Sequence, residues 1–362
     1  MRLTRLALIP AAALAFAGPL TACSSEDATT TESVEVVAEE TTEPTPAQTT
    51  ETEASDATPV QVVATTTMLG SVASQIVACA NPDSTVTTLM PIGADPHDFA
   101  PSSEQVAQMV TAQVVIANGL GLEAGLDDAL ENAASDGATV IEIADMVDPI
   151  PFGAGGHGDH GDEHGGEDHA HDETKEDAHA EDEHDHGSED PHFWFDMNRM
   201  ATAAQIIGDE LAAQNGQAYA DCGAQIADEI RSAESDVREL LESVPADQRI
   251  LVTDHDALGY LADVYGYEVA GTVIPAGTTL AEPSSADLAE LVKVMQNEGV
   301  RVIFANTADP SQLSDAVAAE VGGDVQVVQL YVGSLGEPGS GAEDYISMMR
   351  TNAELISNAL TS

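Results

Sequence analysis

Residues 217–244 read QAYADCGAQIADEIRSAESDVRELLESV. The apolar side chains of this stretch recur at helical steps of four and seven positions, as at Tyr219, Ile226, Ile230 and Val237. At 1.5 Å per residue, a helix of this length is about 40 Å long. Because the stretch is central in the globular part of the chain, the pattern predicts one long rigid helix that joins two lobes.

Short β-rich runs alternate with helical segments on both sides of this helix. Strands are predicted before it at 60–66, 86–89, 114–117 and 139–143, and after it at 249–252, 268–273, 300–304 and 325–331. Strands that alternate with helices are typical of parallel sheets. We therefore expect an α/β fold, with an N-terminal lobe over 60–213, the connecting helix over 214–246 and a C-terminal lobe over 247–362.

The first 59 residues differ from the rest. Arg2 and Arg5 precede an apolar stretch that is short for a membrane span, and Leu20-Thr21-Ala22-Cys23 resembles a bacterial lipobox. Residues 1–23 are therefore predicted to be a lipoprotein signal peptide with Cys23 as the lipidated residue; the alternative is an ordinary secretory peptide. Residues 24–59 are rich in Thr and Glu, which predicts a disordered linker to the outer face of the cytoplasmic membrane.

The formal net charge is −54, from 64 acidic and 10 basic residues. A charge of this sign argues against nucleic acid as a partner and attracts cations in general. An exported chain also meets oxidising conditions, in which two remaining cysteines usually pair. We therefore expect a disulfide between Cys79 and Cys222, the alternative being two buried free thiols.

The 11 histidines are distributed unevenly. Three stand apart, and two of these end the tripeptides Asp95-Pro96-His97 and Asp190-Pro191-His192, while the third is His255 in an Asp-rich loop. Proline restricts its own φ and disfavours helix in the residue before it, so each of these two histidines follows a stiff backbone. Three imidazoles form most of a zinc site, and the prediction is that His97, His192 and His255 bind one ion between the lobes.

The other eight histidines fall in a run of acidic residues and glycine within 153–189, which carries no apolar periodicity. They are His157, His160, His164, His169, His171, His179, His184 and His186. The hypothesis is that they form weak, fast-exchanging auxiliary metal sites that raise the local ion concentration. The alternative is a solvated spacer.

With these motifs the chain resembles the zinc/manganese solute-binding proteins of bacterial ABC importers, over about 60–360. The resemblance is carried by the segments 90–101, 118–123, 190–196, 254–260, 274–291 and 334–349. It implies two lobes joined by a rigid helix, a metal site in the cleft, and ligand roles for His97, His192 and His255. Histidine at the third position is the choice of the zinc-preferring branch, where manganese-preferring members tend to use Glu.

The chain departs from the family pattern just before Ser334. The family normally has an acidic ligand there, whereas this chain has Gly333. Water, Glu337 or a histidine of the His-rich run is then expected to complete the site. Asn306 also stands where relatives often have an acid.

The resemblance implies a monomeric, lipid-anchored, extracytoplasmic receptor that captures Zn²⁺ and delivers it to an ABC permease, without catalysis. A Mn²⁺ receptor of the same family is the principal alternative. An extracellular zinc buffer or adhesin is a further alternative. A zinc hydrolase is less favoured, because the sequence contains no H-E-x-x-H helix.

Overall fold

The structure is a computed structural model, and it describes residues 57–153, 188–309 and 312–362. The predicted signal peptide, Cys23, nearly all of the linker and the eight clustered histidines lie outside these ranges. Within them, no helix combines the length and the apolar character needed to cross a membrane.

The N-terminal lobe is built on a parallel sheet of four strands in the order β2-β1-β3-β4. The strands are β1 Gln61–Ala64, β2 Thr85–Thr88, β3 Val114–Ala117 and β4 Thr139–Glu142. Three helices connect them: α1 Thr67–Ala80, α2 Ser103–Thr111 and α3 Asp127–Asp136. Every residue of β3 is buried, as expected for an inner strand that helices cover on both faces.

Two long helices follow one another in the chain, α4 Met197–Asn215 and α5 Ala218–Glu242. They approach closely because both carry a glycine at the crossing: a Cβ on Gly208 would lie 2.8 Å from the Cα of Gly223. A disulfide joins Cys79 of α1 to Cys222 of α5, with a Cα–Cα distance of 5.9 Å. The helix predicted from the opening stretch is therefore fastened to the N-terminal lobe.

The C-terminal lobe repeats the architecture, with a parallel sheet in the order β6-β5-β7-β8. Its strands are β5 Ile250–Thr253, β6 Glu268–Thr272, β7 Val302–Asn306 and β8 Gln326–Leu330. Its helices are α6 Gly259–Tyr265, α7 Ser285–Glu298, α8 Gln312–Val321 and α9 Tyr345–Thr361. The two parallel-sheet α/β lobes predicted from the sequence are thus confirmed.

The main hydrophobic core runs through both lobes and the helices between them. It includes Met68 of α1, Tyr219 of α5, Phe304 of β7 and Tyr345 of α9, each at most 1% exposed. Two smaller cores lie under the other helices, one around Met109 and Leu130 and one around Leu291 and Ile303. Each sheet is therefore covered on both faces, which leaves the strand ends and their loops to carry polar groups.

Helix ends agree with the sequence where a local cap specifies them. Ser102 and Ser284 each form a capping box, with Gln105 and Asp287 respectively. The helical spacing of the sequence also predicts one helix from Leu122 and a closing helix from Ala342, and both starts differ in the structure. The helix expected from Leu122 begins as a short 3₁₀ turn at Ala124–Leu126 before α3, and α9 begins after a capping box formed by Asp344 rather than near residue 342.

Candidate metal centre

The three isolated histidines meet at one point. The Nε2 atoms of His97 and His192 are 3.3 Å apart, and the ring centroids are 5.4, 5.5 and 5.4 Å from one another. One ring nitrogen of each residue lies within 4.8 Å of those of the other two. Two nitrogens bound to one tetrahedral zinc at 2.0–2.1 Å would be about 3.3–3.4 Å apart. The His97–His192 distance therefore matches that of two ligands of one zinc ion.

The histidines come from three different parts of the chain. His97 lies in the loop between β2 and α2, His192 immediately precedes a 3₁₀ turn at Phe193–Phe195, and His255 follows the carboxyl end of β5. All three are buried, with exposures of 8%, 1% and 1%. The site thus receives side chains from both lobes, at the sheet edges where ligands of open parallel sheets bind.

An aspartate fixes the backbone at each histidine. Asp95 accepts a hydrogen bond from the N–H of His97 at 3.1 Å, and Asp190 accepts one from the N–H of His192 at 2.9 Å. The N–H of His255 donates to Asp254 at 2.7 Å. The first two bonds span two residues, which is the Asx-turn geometry that aspartate favours. The repeated Asp before His is thus a sequence signal of the local geometry, in addition to the proline.

Two of these aspartates also orient the imidazole rings. The Nδ1 of His192 donates to Asp190 at 2.7 Å, and the Nδ1 of His255 donates to Asp254 at 2.9 Å. A proton held on Nδ1 leaves the Nε2 lone pair for a metal ion. Among the described residues, the buried Nε2 of His255 has no hydrogen-bond partner. This arrangement presents Nε2 atoms, rather than Nδ1 atoms, toward the centre.

Burial and charge set the protonation of the site. Burial lowers the pKa of His192 well below its usual value, and the nearby His255 lowers it further. Burial is the largest single influence on His255 and lowers its pKa, but the hydrogen bond to Asp254 and the charges of Asp254, Asp95 and Asp256 together outweigh burial, so the net shift is upward. Burial raises the pKa of Asp190 to about 7. The lowered pKa of His192 favours the neutral form that binds a cation, whereas the raised pKa of His255 means that a proton competes with a cation at that ring up to a higher pH.

Long-range contacts support this arrangement from both lobes. The hydroxyl of Thr279 donates to the Oδ2 of Asp95 at 2.5 Å. The backbone N–H of Asn306 donates to the Oδ2 of Asp254, also at 2.5 Å. The ring of Trp194 lies 5.2 Å from that of His192, and its Nε1 donates to the carbonyl of Val332 at 3.1 Å. Asp95 and Asp254 each use both carboxylate oxygens, so both are rigidly held.

Gly333 lies beside the first of the Asp-Pro-His segments. A Cβ at this position would be 2.7 Å from the Cδ of Pro96 and 3.4 Å from the Nδ2 of Asn306, and the N–H of Gly333 donates to the Oδ1 of Asn306 at 3.4 Å. The proline ring thus occupies the space that a side chain would enter. Asn306 uses its side chain on the backbone of Gly333 and Ala308.

The structure assembles part of the predicted ligand set. Within the described ranges, the cluster of potential ligand atoms contains His97, His192 and His255 and no further His, Cys, Asp or Glu. Glu337, considered as a fourth ligand, is exposed and does not join the cluster. The eight histidines of the His-rich run lie outside the described residues.

The comparisons with known proteins agree with the fold. The family described as "Zinc-uptake complex component A periplasmic" matches residues 62–359. The chain is 24% identical over 305 residues to the manganese-binding lipoprotein MntA of Halalkalibacterium halodurans, covering 83% of this chain and 89% of that protein. It is also 24% identical over 321 residues to the zinc-binding protein TroA of Treponema pallidum, covering 85% and 90%.

The solved structure of the periplasmic zinc binding protein TroA from Treponema pallidum has the same fold. It superposes with a TM-score of 0.69 at 21% identity, covering 84% of this chain and 99% of that one. The family match extends over both lobes, from residue 62 to residue 359. The chain therefore belongs to the zinc-uptake complex component A family, whose members are metal-binding receptors of ABC importers.

Proposed function

We propose that this protein captures Zn²⁺ outside the cytoplasmic membrane and delivers it to the permease of an ABC importer. The observation that carries the proposal is the buried convergence of three imidazoles, two of them with Nδ1 held by an aspartate. Such an aspartate fixes the ring and increases the basicity of the opposite nitrogen. His97, His192 and His255 would bind the ion, and Zn²⁺ is the cargo rather than a resident cofactor.

The donor chemistry favours zinc over manganese. Imidazole nitrogen suits zinc, whereas manganese prefers sites rich in carboxylate and carbonyl oxygen. The carboxylates nearest to the rings, Asp190 and Asp254, accept hydrogen bonds from the histidines. Three nitrogens with an exchangeable fourth position suit an ion that must be released again, because fewer protein bonds have to break.

Manganese is the second candidate, because relatives with similar coverage are named for each metal. One is a manganese-binding lipoprotein, and another is a zinc-binding protein. The lipid anchor at Cys23, the monomeric state and a role without catalysis belong to the same proposal. The lipobox-like sequence supports the anchor, and the family's description as metal-binding transport receptors supports a role without catalysis.

The decisive experiment is a competitive titration of purified, metal-stripped protein with Zn²⁺ and Mn²⁺ against chromophoric chelators. We expect one tight site with a preference for Zn²⁺, and its loss in His97→Ala, His192→Ala and His255→Ala variants that remain folded. A preference for Mn²⁺ would favour the second candidate. Tight binding that survives all three substitutions would refute the site.

A further inference from the structure

Glu123 is a buried carboxylate that the proposed metal capture does not use. Glu123 is 2% exposed, and its carboxylate is not part of the histidine cluster. Burial raises its pKa to about 7, although four hydrogen bonds, from the backbone of Asn118, Gly119 and Glu123 itself and from the side chain of Thr65, act in the opposite direction. A carboxylate in such a place is costly to bury unless its acceptors are used.

The carboxylate holds the loop that follows β3. Its Oε1 accepts from the N–H of Asn118 at 2.6 Å and from the hydroxyl of Thr65 at 2.8 Å, and its Oε2 accepts from the N–H of Gly119 at 3.3 Å. The next residue, Leu120, has a φ of 53°, a left-handed conformation that side chains other than glycine rarely adopt. Glu123 therefore stabilises a loop conformation that its own sequence does not favour.

The same loop contacts the backbone at a proposed ligand. The side-chain Nδ2 of Asn118 donates to the carbonyl of Pro191 at 3.0 Å, and Asn118 is fully buried. Pro191 directly precedes His192, whose own N–H is held by Asp190. The peptide that leads into His192 is thus fixed at its carbonyl by Asn118 and at its N–H by Asp190.

We propose that Glu123 is a positioning residue of the metal site, which acts through Asn118 and the Pro191 carbonyl to hold the Nε2 of His192 in place. This inference rests on the proposed function, because it takes His192 as a ligand. The path consists of consecutive hydrogen bonds, each with a stated distance. Thr65, at the carboxyl end of β1, anchors the carboxylate to the sheet.

The test uses Glu123→Gln, which keeps the size of the side chain and turns one acceptor oxygen into an NH₂ donor. In either orientation of the amide, that donor faces a backbone N–H of the loop. Three readouts are measured: Zn²⁺ affinity by chelator competition, the visible spectrum of the Co²⁺-substituted protein, and the histidine ring ¹⁵N resonances of the metal-free protein. We expect a 10- to 100-fold loss of Zn²⁺ affinity, an altered Co²⁺ spectrum and shifted His192 resonances.

A matched control separates positioning from general stability. Asn215 is also a buried amide that donates to a backbone carbonyl, that of Leu211, but it lies at the far end of α4. Asn215→Ala should lower thermal stability and leave all three readouts unchanged, whereas Asn118→Ala should reproduce the effect of Glu123→Gln. Because the two residues act in series, the double variant should lose little more affinity than either single variant.

The outcomes are distinguishable. Wild-type Zn²⁺ affinity, Co²⁺ spectrum and His192 resonances in a destabilised Glu123→Gln protein would overturn the inference and leave the proposed function intact. If Glu123→Gln does not fold, Asn118→Ala decides on the same readouts. If the unmodified protein binds no Zn²⁺, the proposed function fails, and the His192 resonances of the metal-free variants still decide whether Glu123 positions that ring.

Discussion

Adding a single methyl group at Gly333 should weaken the proposed metal site. The Cβ of Gly333→Ala would lie 2.7 Å from the Cδ of Pro96, whereas carbon atoms in contact prefer about 3.5–4.0 Å. Either the proline ring or the chain after β8 must therefore move by about 1 Å. Pro96 directly precedes His97, so the movement reaches the imidazole that lies 3.3 Å from His192.

The magnitude has a stability part and a binding part. Overpacking of a filled site typically costs about 1–3 kcal/mol of folding free energy. A displacement of about 1 Å is half the length of a zinc–nitrogen bond, which is 2.0–2.1 Å. We therefore expect a 10- to 100-fold loss of Zn²⁺ affinity, the range found when groups that orient metal ligands are removed. That range corresponds to about 1.4–2.8 kcal/mol.

The assay is chelator competition with metal-stripped protein, accompanied by thermal unfolding of the metal-free form. Gly271→Ala provides a matched control, because a Cβ there would also lie 2.7 Å from a carbon, the Cδ1 of Leu291. Gly271 lies in β6, and among the residues that the structure describes a Cβ added there would meet only Leu291 within 4 Å and no residue of the histidine cluster. We expect Gly271→Ala to lower stability and to leave Zn²⁺ affinity within about twofold of the unmodified protein, a difference below 0.5 kcal/mol.

A Gly333→Asp variant separates packing from ligand supply. If the missing carboxylate limits affinity, Asp should bind Zn²⁺ more tightly than the unmodified protein. If the contact with Pro96 dominates, both Ala and Asp should bind more weakly, and only the difference between them measures the carboxylate. Wild-type affinity in Gly333→Ala would refute the packing argument.

Four further outcomes test the proposed site and its surroundings. His255→Glu should lower the ratio of Zn²⁺ to Mn²⁺ affinity at least about tenfold, because it exchanges nitrogen for oxygen; an unchanged ratio in competitive titration would contradict this. In metal-free protein, the pKa of His255 is raised above 6.5 despite burial, through the hydrogen bond to Asp254 and neighbouring negative charges. Protonated His255 therefore stabilises the folded state, fully below pH 6.5, and this contribution is lost as pH rises through the pKa of the folded state. Zn²⁺ must displace that proton, so its affinity, titrated at several pH values, should rise as pH increases through that range, and a flat profile would contradict the assignment. Cys79→Ala/Cys222→Ala should lower the free energy of unfolding by about 2–5 kcal/mol in chemical denaturation, because the bond closes a long loop; a smaller change would indicate that other contacts hold α1 on α5. Deletion of residues 157–187 should lower Zn²⁺ stoichiometry by equilibrium dialysis and keep one tight site, whereas unchanged stoichiometry would leave the segment as a spacer.

The strands and most helices followed from local pattern, and the exceptions have a local physical cause. Leu122 and the residues after it have helical spacing, yet the chain turns first through Leu120 at positive φ. The Glu123 carboxylate then accepts hydrogen bonds from the loop behind it. A regular helix therefore cannot start before that loop ends. Spacing alone does not reveal a side chain that returns to its own backbone.

The three histidines could be chosen from sequence because two of them repeat a tripeptide, but the groups that hold them could not all be identified. Asp95 and Asp190 act on residues two positions away, so their role was visible in principle. The contacts of Thr279 with Asp95 and of Asn306 with Asp254 join positions 184 and 52 residues apart. No periodicity links such positions, and only the folded sheets bring them together.

The contact between Gly333 and Pro96 also changes how the missing acidic ligand is understood. From sequence, glycine at a position where relatives carry an acid is simply a lost ligand. In the fold, the ring of Pro96 fills the volume that a side chain at position 333 would need. The absence of an acidic side chain there and the packing of the loop that carries His97 therefore depend on each other. If three imidazoles hold the ion, no bound carboxylate offsets its double positive charge. Asp190 and Asp254 then supply the nearest negative charge through the Nδ1 hydrogen bonds. Removing either aspartate should therefore reduce Zn²⁺ affinity in this chain more than in a relative whose zinc is bound directly by a carboxylate.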